Sequence, residues 1–316
     1  MSRHCWLTVR VAGAIVAIAS LTESVSAAIT FVPGDYYSSN YFSNTVTQYD
    51  LAGNVVGSST MPNEVRGIAF GPDGFLYETQ VGNNNNGFNV VALNSSGAIQ
   101  QTYSGNVYIF GDISYGKVTV DQQYLYVAGQ DQLTRFLLGN PASGTAIYMN
   151  NQVYDSVLLP NGNLMVASAS QIQEITNAGA VVRTLPLVGP EGLALNDIRG
   201  IAYNPVTNDL FVTELGYTRA PFDLLRYDAA TGALEKSTTF IYGDDIQLTT
   251  SGALLVGSRT QDPTFFDENL NAIGTLHGGQ QMFVTQLVPE PSTLVLLGLA
   301  MFALLLFCLR RVRPNV

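Results

Sequence analysis

Between residues 29 and 287 the chain has no cysteine and no tryptophan, and its only histidine is His277. Cys5 and Cys308 lie near the two chain ends, so the middle can form no disulfide and must be held by burial and backbone pairing. One histidine without cysteine excludes the usual zinc sites. A Ser-His-Asp triad would have to use His277, in TLHGG, and no Gly-x-Ser-x-Gly elbow accompanies it. His277 therefore reads as a turn or surface residue. Basic residues are scarce as well. The chain has 24 acids and 14 bases; Glu23 and Glu290 among the acids, and Arg3, Arg10, Arg310, Arg311 and Arg313 among the bases, sit in the ends. The body thus carries 22 acids against 9 bases, a net charge of −13. Nucleic acid is excluded as a partner, because phosphate binding needs clustered Lys and Arg. Such a balance suits a soluble exported protein or one that meets divalent cations.

Long apolar runs occur only at the ends. Residues 1–28 read as a secretory signal: Arg3 and Arg10 in front, an apolar stretch from Val11 to Leu21, and small residues Val25-Ser26-Ala27 before a cut at Ala28. At the other end, Val288-Pro289-Glu290-Pro291-Ser292 precedes an uncharged run, Thr293 to Leu309, followed by Arg310, Arg311 and Arg313. As a helix that run is about 25 Å long, at the short end of what crosses a bilayer. The arginines hold its far end in the cytoplasm and leave the body outside. The two prolines impose extended backbone around Glu290, the form a peptide-processing active site accepts.

A Pro-Glu-Pro tripeptide, a short apolar helix and a basic tail, in that order, resemble the PEP-CTERM sorting signal of Gram-negative bacteria. Pro289, Glu290 and Pro291 match the motif, residues 293–309 the helix, and Arg310, Arg311 and Arg313 the tail. The resemblance implies processing by an exosortase, a membrane-embedded enzyme that cuts near the motif and passes its substrate to the cell surface or extracellular matrix.

What fills the body is a repeat. NEVRGIAF (residues 63–70) reappears as NDIRGIAY (196–203), each followed by a proline turn and a second strand. Weaker copies begin near residues 115, 154 and 244, a period of about 40–50 residues that signals a propeller or similar array. Asp73-Gly74, Asn161-Gly162 and Ser251-Gly252 mark hairpin turns between β-type runs. The fold class is therefore all-β, a β-propeller over residues 29–287. TVTQYDLAGNVVGSST (45–60) has the shape of the outer half of a repeat, so the chain enters in mid-blade. Residues 281–288, QMFVTQLV, can supply the missing innermost strand and close the ring. Six blades are expected; a seventh would have to lie in Gln80 to Gly111. Asn83 to Asn86 reads as a polar hairpin tip, and Gly34 to Asn44, rich in Tyr, Ser and Asn, as a surface loop suited to contacts.

The arrangement resembles NHL-like and gluconolactonase-like propellers. Glu64, Asp112, Asp155, Asp197, Asp244 and Asp245 fall at or just before the starts of innermost strands, which converge on one channel mouth. Carboxylates gathered there would favour a hard cation such as Ca²⁺. The resemblance implies a metal held by Glu, Asn and Asp, for which Glu64, Asn196 and Asp197 are the candidates by type. The registers differ, since Asp155 and Asp245 align with Gly67, and pairing with Arg66 and Arg199 competes. Two functions follow. One is a surface-displayed, non-catalytic binding module for exopolysaccharide or a surface protein, membrane-held until processed; the other is a secreted lactonase- or lyase-like enzyme using the metal.

Overall fold

The computed structural model describes residues 28–40, 42–81, 88–104, 116–150, 152–190, 192, 194–214, 223–240 and 242–287. The chain opens with β1 (Tyr36–Asn40), β2 (Thr45–Tyr49) and β3 (Val55–Thr60). Blade 2 follows as β4 (Glu64–Phe70), β5 (Leu76–Val81), β6 (Phe88–Leu93) and β7 (Ile99–Ser104). Blade 3 is β8 (Val118–Val120), β9 (Tyr124–Ala128), β10 (Gln132–Leu137) and β11 (Thr145–Met149). Blade 4 is β12 (Val153–Leu158), β13 (Leu164–Ser168), β14 (Ile172–Ile175) and β15 (Val181–Leu185). Blade 5 is β16 (Ile198–Asn204), β17 (Asp209–Glu214), β18 (Asp223–Asp228) and β19 (Leu234–Thr239). Blade 6 is β20 (Gly243–Leu248), β21 (Leu254–Ser258), β22 (Thr264–Phe266) and β23 (Ala272–Thr275). The last strand, β24 (Phe283–Gln286), returns to blade 1, whose order is β24-β1-β2-β3.

Six four-stranded antiparallel sheets thus form a six-bladed propeller, with β24, β4, β8, β12, β16 and β20 innermost and in contact around the ring. Closure is by pairing of the two chain ends, Tyr36 opposite Gln286 through Ser39 opposite Phe283. The stretch from Gln80 to Gly111 holds no seventh blade among the described residues; β5, β6 and β7 in it complete blade 2. The Tyr-rich segment is a surface turn only from Phe42 to Asn44; its first half is a strand. It is β1, with Tyr36 and Tyr37 buried, because closure places it between β24 and β2. The asparagine run and the segment expected to form the C-terminal helix both lie outside the described residues. Among those described, no helix is long and apolar enough to cross a membrane.

Why the sequence reads as continuous apolar runs in the second strands is visible at the seams. Six separate apolar clusters fill the six blade-to-blade interfaces. Each second strand feeds two of them alternately. Leu164 and Val166 pack toward blade 3, whereas Met165 and Ala167 pack toward blade 5. Both faces are buried, so the period-two pattern of a half-solvated strand disappears.

Candidate functional site

The innermost strands begin on one face of the ring, here the entry face, and end on the other, the exit face. Three begin with a left-handed residue: Gln152 (φ 61), Asp197 (φ 63) and Tyr242 (φ 54), directly before β12, β16 and β20. A register shift follows in each, between Val153 and Asp155, Ile198 and Gly200, and Gly243 and Asp245. The bulge adds an unpaired residue and re-aims its neighbours. Tyr154, Arg199 and Asp244 are the added residues, and the ones after them, Asp155, Gly200 and Asp245, share a rung with Lys117 and Gly67.

That rung is the electrostatic centre of the molecule. Lys117 Nζ lies 3.2 Å from Asp155 Oδ2 and 3.1 Å from Asp245 Oδ1, and donates to the Arg199 carbonyl at 2.5 Å. All three side chains are buried. The remaining lone pairs are used too. Asp155 accepts from the backbone N–H of Ser156 (2.7 Å) and Ile201 (2.8 Å), and Asp245 from that of Val284 (3.0 Å). One lysine and two aspartates thereby join blades 3, 4, 5, 6 and 1. Burial pushes the Asp155 carboxyl up to about 6; Lys117 opposes this and Asp245 adds to it.

At this rung blade 2 contributes only backbone. A Cβ on Gly67 would stand 2.3 Å from Lys117 Cα and 2.4 Å from the Gly116 carbonyl oxygen. Thr79 donates to that same carbonyl at 2.7 Å. Gly67→Ala is therefore expected to push blades 2 and 3 apart and cost about 3 kcal/mol, read as a fall in Tm of about 6–12 °C.

Closer to the entry face lie two more ion pairs. Arg199 Nη2 donates to Asp197 Oδ2 at 2.7 Å and its guanidinium stacks 4.3 Å over the Tyr154 ring. Arg259 Nε donates to both Asp244 oxygens at 3.0 Å. On the exit side of the ion cluster the channel opens into a cavity of about 860 Å³. Lys117, Asp155 and Asp245 form its base, Asp121 is its one further charged lining residue, and its walls include Ala69, Thr119, Val157, Ala202, Gln247 and Thr285. Its mouth is ringed by Phe70, Pro72, Leu159, Pro160, Tyr203 and Pro205.

Sequence-predicted positions distribute as follows. Glu64 is the first residue of β4, half-buried, opposite Val81. Asn196 is exposed, with its backbone N–H donating to Glu214 Oε1 at 2.6 Å, and Asp197 is buried against Arg199. Glu64 thus belongs to blade 2 and the other two to blade 5, across the six-bladed ring. No group of three or more His, Cys, Asp or Glu among the described residues is arranged to hold a metal ion. Asp155 and Asp245 are brought together, by a lysine. Asp112 and the sorting residues, Pro289, Glu290, Pro291, Arg310, Arg311 and Arg313, lie outside the described residues. His277 is exposed, its backbone N–H bonded to the Gly53 carbonyl. Sequence reasoning missed Lys117; the available signal was that lysine occurs only at 117 and 236, and once at an inner-strand start.

Residues 287–311 match the PEP-CTERM protein-sorting motif. No curated protein matches the chain. Among solved structures, the nidogen/laminin complex contains a chain similar at TM-score 0.60 and 11% identity, over 81% of this chain and 99% of that one. A gluconolactonase from Xanthomonas campestris is similar at 0.55 and 14%, over 81% and 89%. A Bacteroides caccae protein of unknown function is similar at 0.56 and 11%, over 80% and 98%. These likenesses establish the fold, and the fold hosts both matrix proteins and enzymes. The motif marks the propeller as the cargo of a C-terminal sorting signal, exported and membrane-anchored until an exosortase processes it.

Proposed function

We propose that residues 1–28 are a removable secretory signal, residues 29–287 the displayed cargo and residues 288–316 the sorting signal. Exosortase acts at Pro289-Glu290-Pro291 while the apolar helix and Arg310, Arg311 and Arg313 hold the chain in the membrane. The cargo is then a non-catalytic binding module at the cell surface or in the matrix, with exopolysaccharide or a surface protein as its partner. One observation carries this reading over the metal enzyme: Asp155, Asp245, Asp197 and Asp244 are engaged by the chain's own cations, Lys117, Arg199 and Arg259. The cavity beyond them offers mostly hydroxyl, amide and apolar groups, with Asp121 as its one further charge, which suits a neutral, hydroxyl-bearing ligand.

The test is thermal melting with and without Ca²⁺ and chelator. A binding module without a metal keeps its Tm within about 1 °C across these conditions. A metal held by Glu64, Asn196 and Asp197 would raise stability by about 2.7 kcal/mol at a hundredfold excess over Kd. A Ca²⁺-dependent rise lost in Asp197→Ala would replace this reading by the lactonase- or lyase-like one.

A further inference from the structure

Both ends of the ring leave from one face. β24 runs from the entry face to the exit face, and Gln286, its last residue, pairs with Tyr36, the first of β1. Beyond it, the Leu287 N–H donates to the Asp35 carbonyl at 3.1 Å, and the Gly34 N–H donates to the Leu287 carbonyl at 2.9 Å. Thr285 and Gln286 line the cavity. The sorting segment therefore departs from an innermost strand, beside the channel axis, at the cavity mouth. It does not depart from the rim.

Only Val288 to Ser292 separate this exit from the apolar run. Fully extended, those five residues reach about 17 Å. The edge strands lie three strand spacings, about 14 Å, outside the innermost ones, before side chains and half the channel width are added. A ring tethered at its centre by that length cannot stand on its rim. It must present the exit face to the bilayer.

We propose that in the anchored precursor the membrane surface covers the exit face and the cavity mouth, and that cleavage at the sorting motif uncovers them. This rests on the anchoring read from the motif. The tether, not affinity, imposes the contact. The exit-face turns carry Asp50, Asp73, Asp121, Asp228 and Asp267, which repel anionic headgroups, so the face parts from the membrane once the tether is cut. The entry face, with its Arg–Asp pairs, points outward in both forms.

The cysteine-free body makes this measurable. In a Cys5→Ser, Cys308→Ser background, Val206→Cys marks the exit face and Met149→Cys the entry face; both positions are well exposed, at 90% and 67%. The full chain is reconstituted into phosphatidylethanolamine/phosphatidylglycerol vesicles, floated, and labelled with a polyethylene-glycol maleimide. Labelling tracks the open fraction of a site, so the Val206→Cys rate is expected to fall about tenfold below that of Met149→Cys in floated chain. The two rates converge in a chain ending at Ser292. They also converge in the anchored chain after about 30 Gly/Ser residues, with a reach of about 30 Å, are inserted following Val288. Equal rates at the two positions in floated, uninserted chain overturn the covering and leave anchoring standing. A chain that does not float overturns the anchoring, and the covering with it.

Discussion

Lys117→Met destabilises the ring by about 3–5 kcal/mol near neutral pH, an expected fall in Tm of roughly 10 °C. Methionine keeps the length and apolar stem of the side chain, so the loss reports the charge. Two carboxylates, 5% and 9% exposed, would then face each other across the channel without a cation. Breaking a buried pair from one side costs far more than the pair is worth, because the remaining ion stays desolvated. Here two ions remain. The penalty should also depend on pH. Asp155 has its carboxyl raised to about 6 from an ordinary 3.8, with burial the largest cause and Lys117 the main opposing one. A carboxyl raised on folding contributes stability that is full below its unfolded value and fades as pH rises through its folded one. Removing Lys117 raises Asp155 further, so the variant regains stability on acidification toward about pH 5, where the proton replaces the ammonium. Denaturant melts of wild type and variant at the two pH values test this. A penalty that stayed constant or grew on acidification would show that Lys117 acts through packing alone. Wild type should share the direction of the trend, because burial also pushes Glu78, in the seam between blades 1 and 2, up to about 7, with Gln80 opposing.

How much of the fold is legible in the sequence depends on which interactions are local. Blade number, strand order and closure were legible. Each repeat has its own glycine turn, and an array whose first unit lacks an inner strand has one place to find it, in residues 281–288. Less was legible at the channel. That Asp155 and Asp245 share the rung of Gly67 could be read by aligning repeats. That Lys117 fills the same rung could not, because the short β8 hides its register and no motif says where a long side chain will reach. The bulges that re-aim Tyr154, Arg199 and Asp244 inward are likewise invisible, since they arise from left-handed residues of three different types, Gln152, Asp197 and Tyr242. Gly34 to Asn44 misled for a compositional reason. Tyr, Ser and Asn suit a contact loop, yet the fold buries Tyr36 to Ser39 in the closing blade, where Ser39 Oγ donates to the Arg66 carbonyl at 2.6 Å and Tyr37 OH to the Thr30 carbonyl at 2.7 Å.

The same closure sets a limit on where the sorting enzyme can cut. A chain ending at Leu287 should melt within about 2 °C of one ending at Ser292, since no described contact of the ring lies beyond Leu287. A chain ending at Gln281 should lose its cooperative transition altogether. It would lack Met282, Phe283 and Val284, each at most 1% exposed, and burying each such side chain is worth about 1.5–3 kcal/mol. Roughly 6 kcal/mol is therefore removed from a domain whose whole stability is about 5–15 kcal/mol. The ladder from Tyr36 to Ser39 would lose its partner strand, and Asp245 would lose the Val284 N–H. The channel would also open along its length, leaving β1 as an unpaired edge beside β4. Melting the three truncations side by side checks the claim; a cooperative transition at wild-type temperature in the shortest would mean that β24 does not close the ring. The consequence for processing is tight. Only Val288 separates the last described residue from Pro289, so a cut at or after the Pro-Glu-Pro motif is expected to spare the ring and a cut a few residues earlier to destroy it. Proline brings no N–H to a ladder, so Pro289 and Pro291 cannot donate to a strand continued past Leu287. On the proposed reading, the motif therefore lies just beyond the last residue the ring is expected to need.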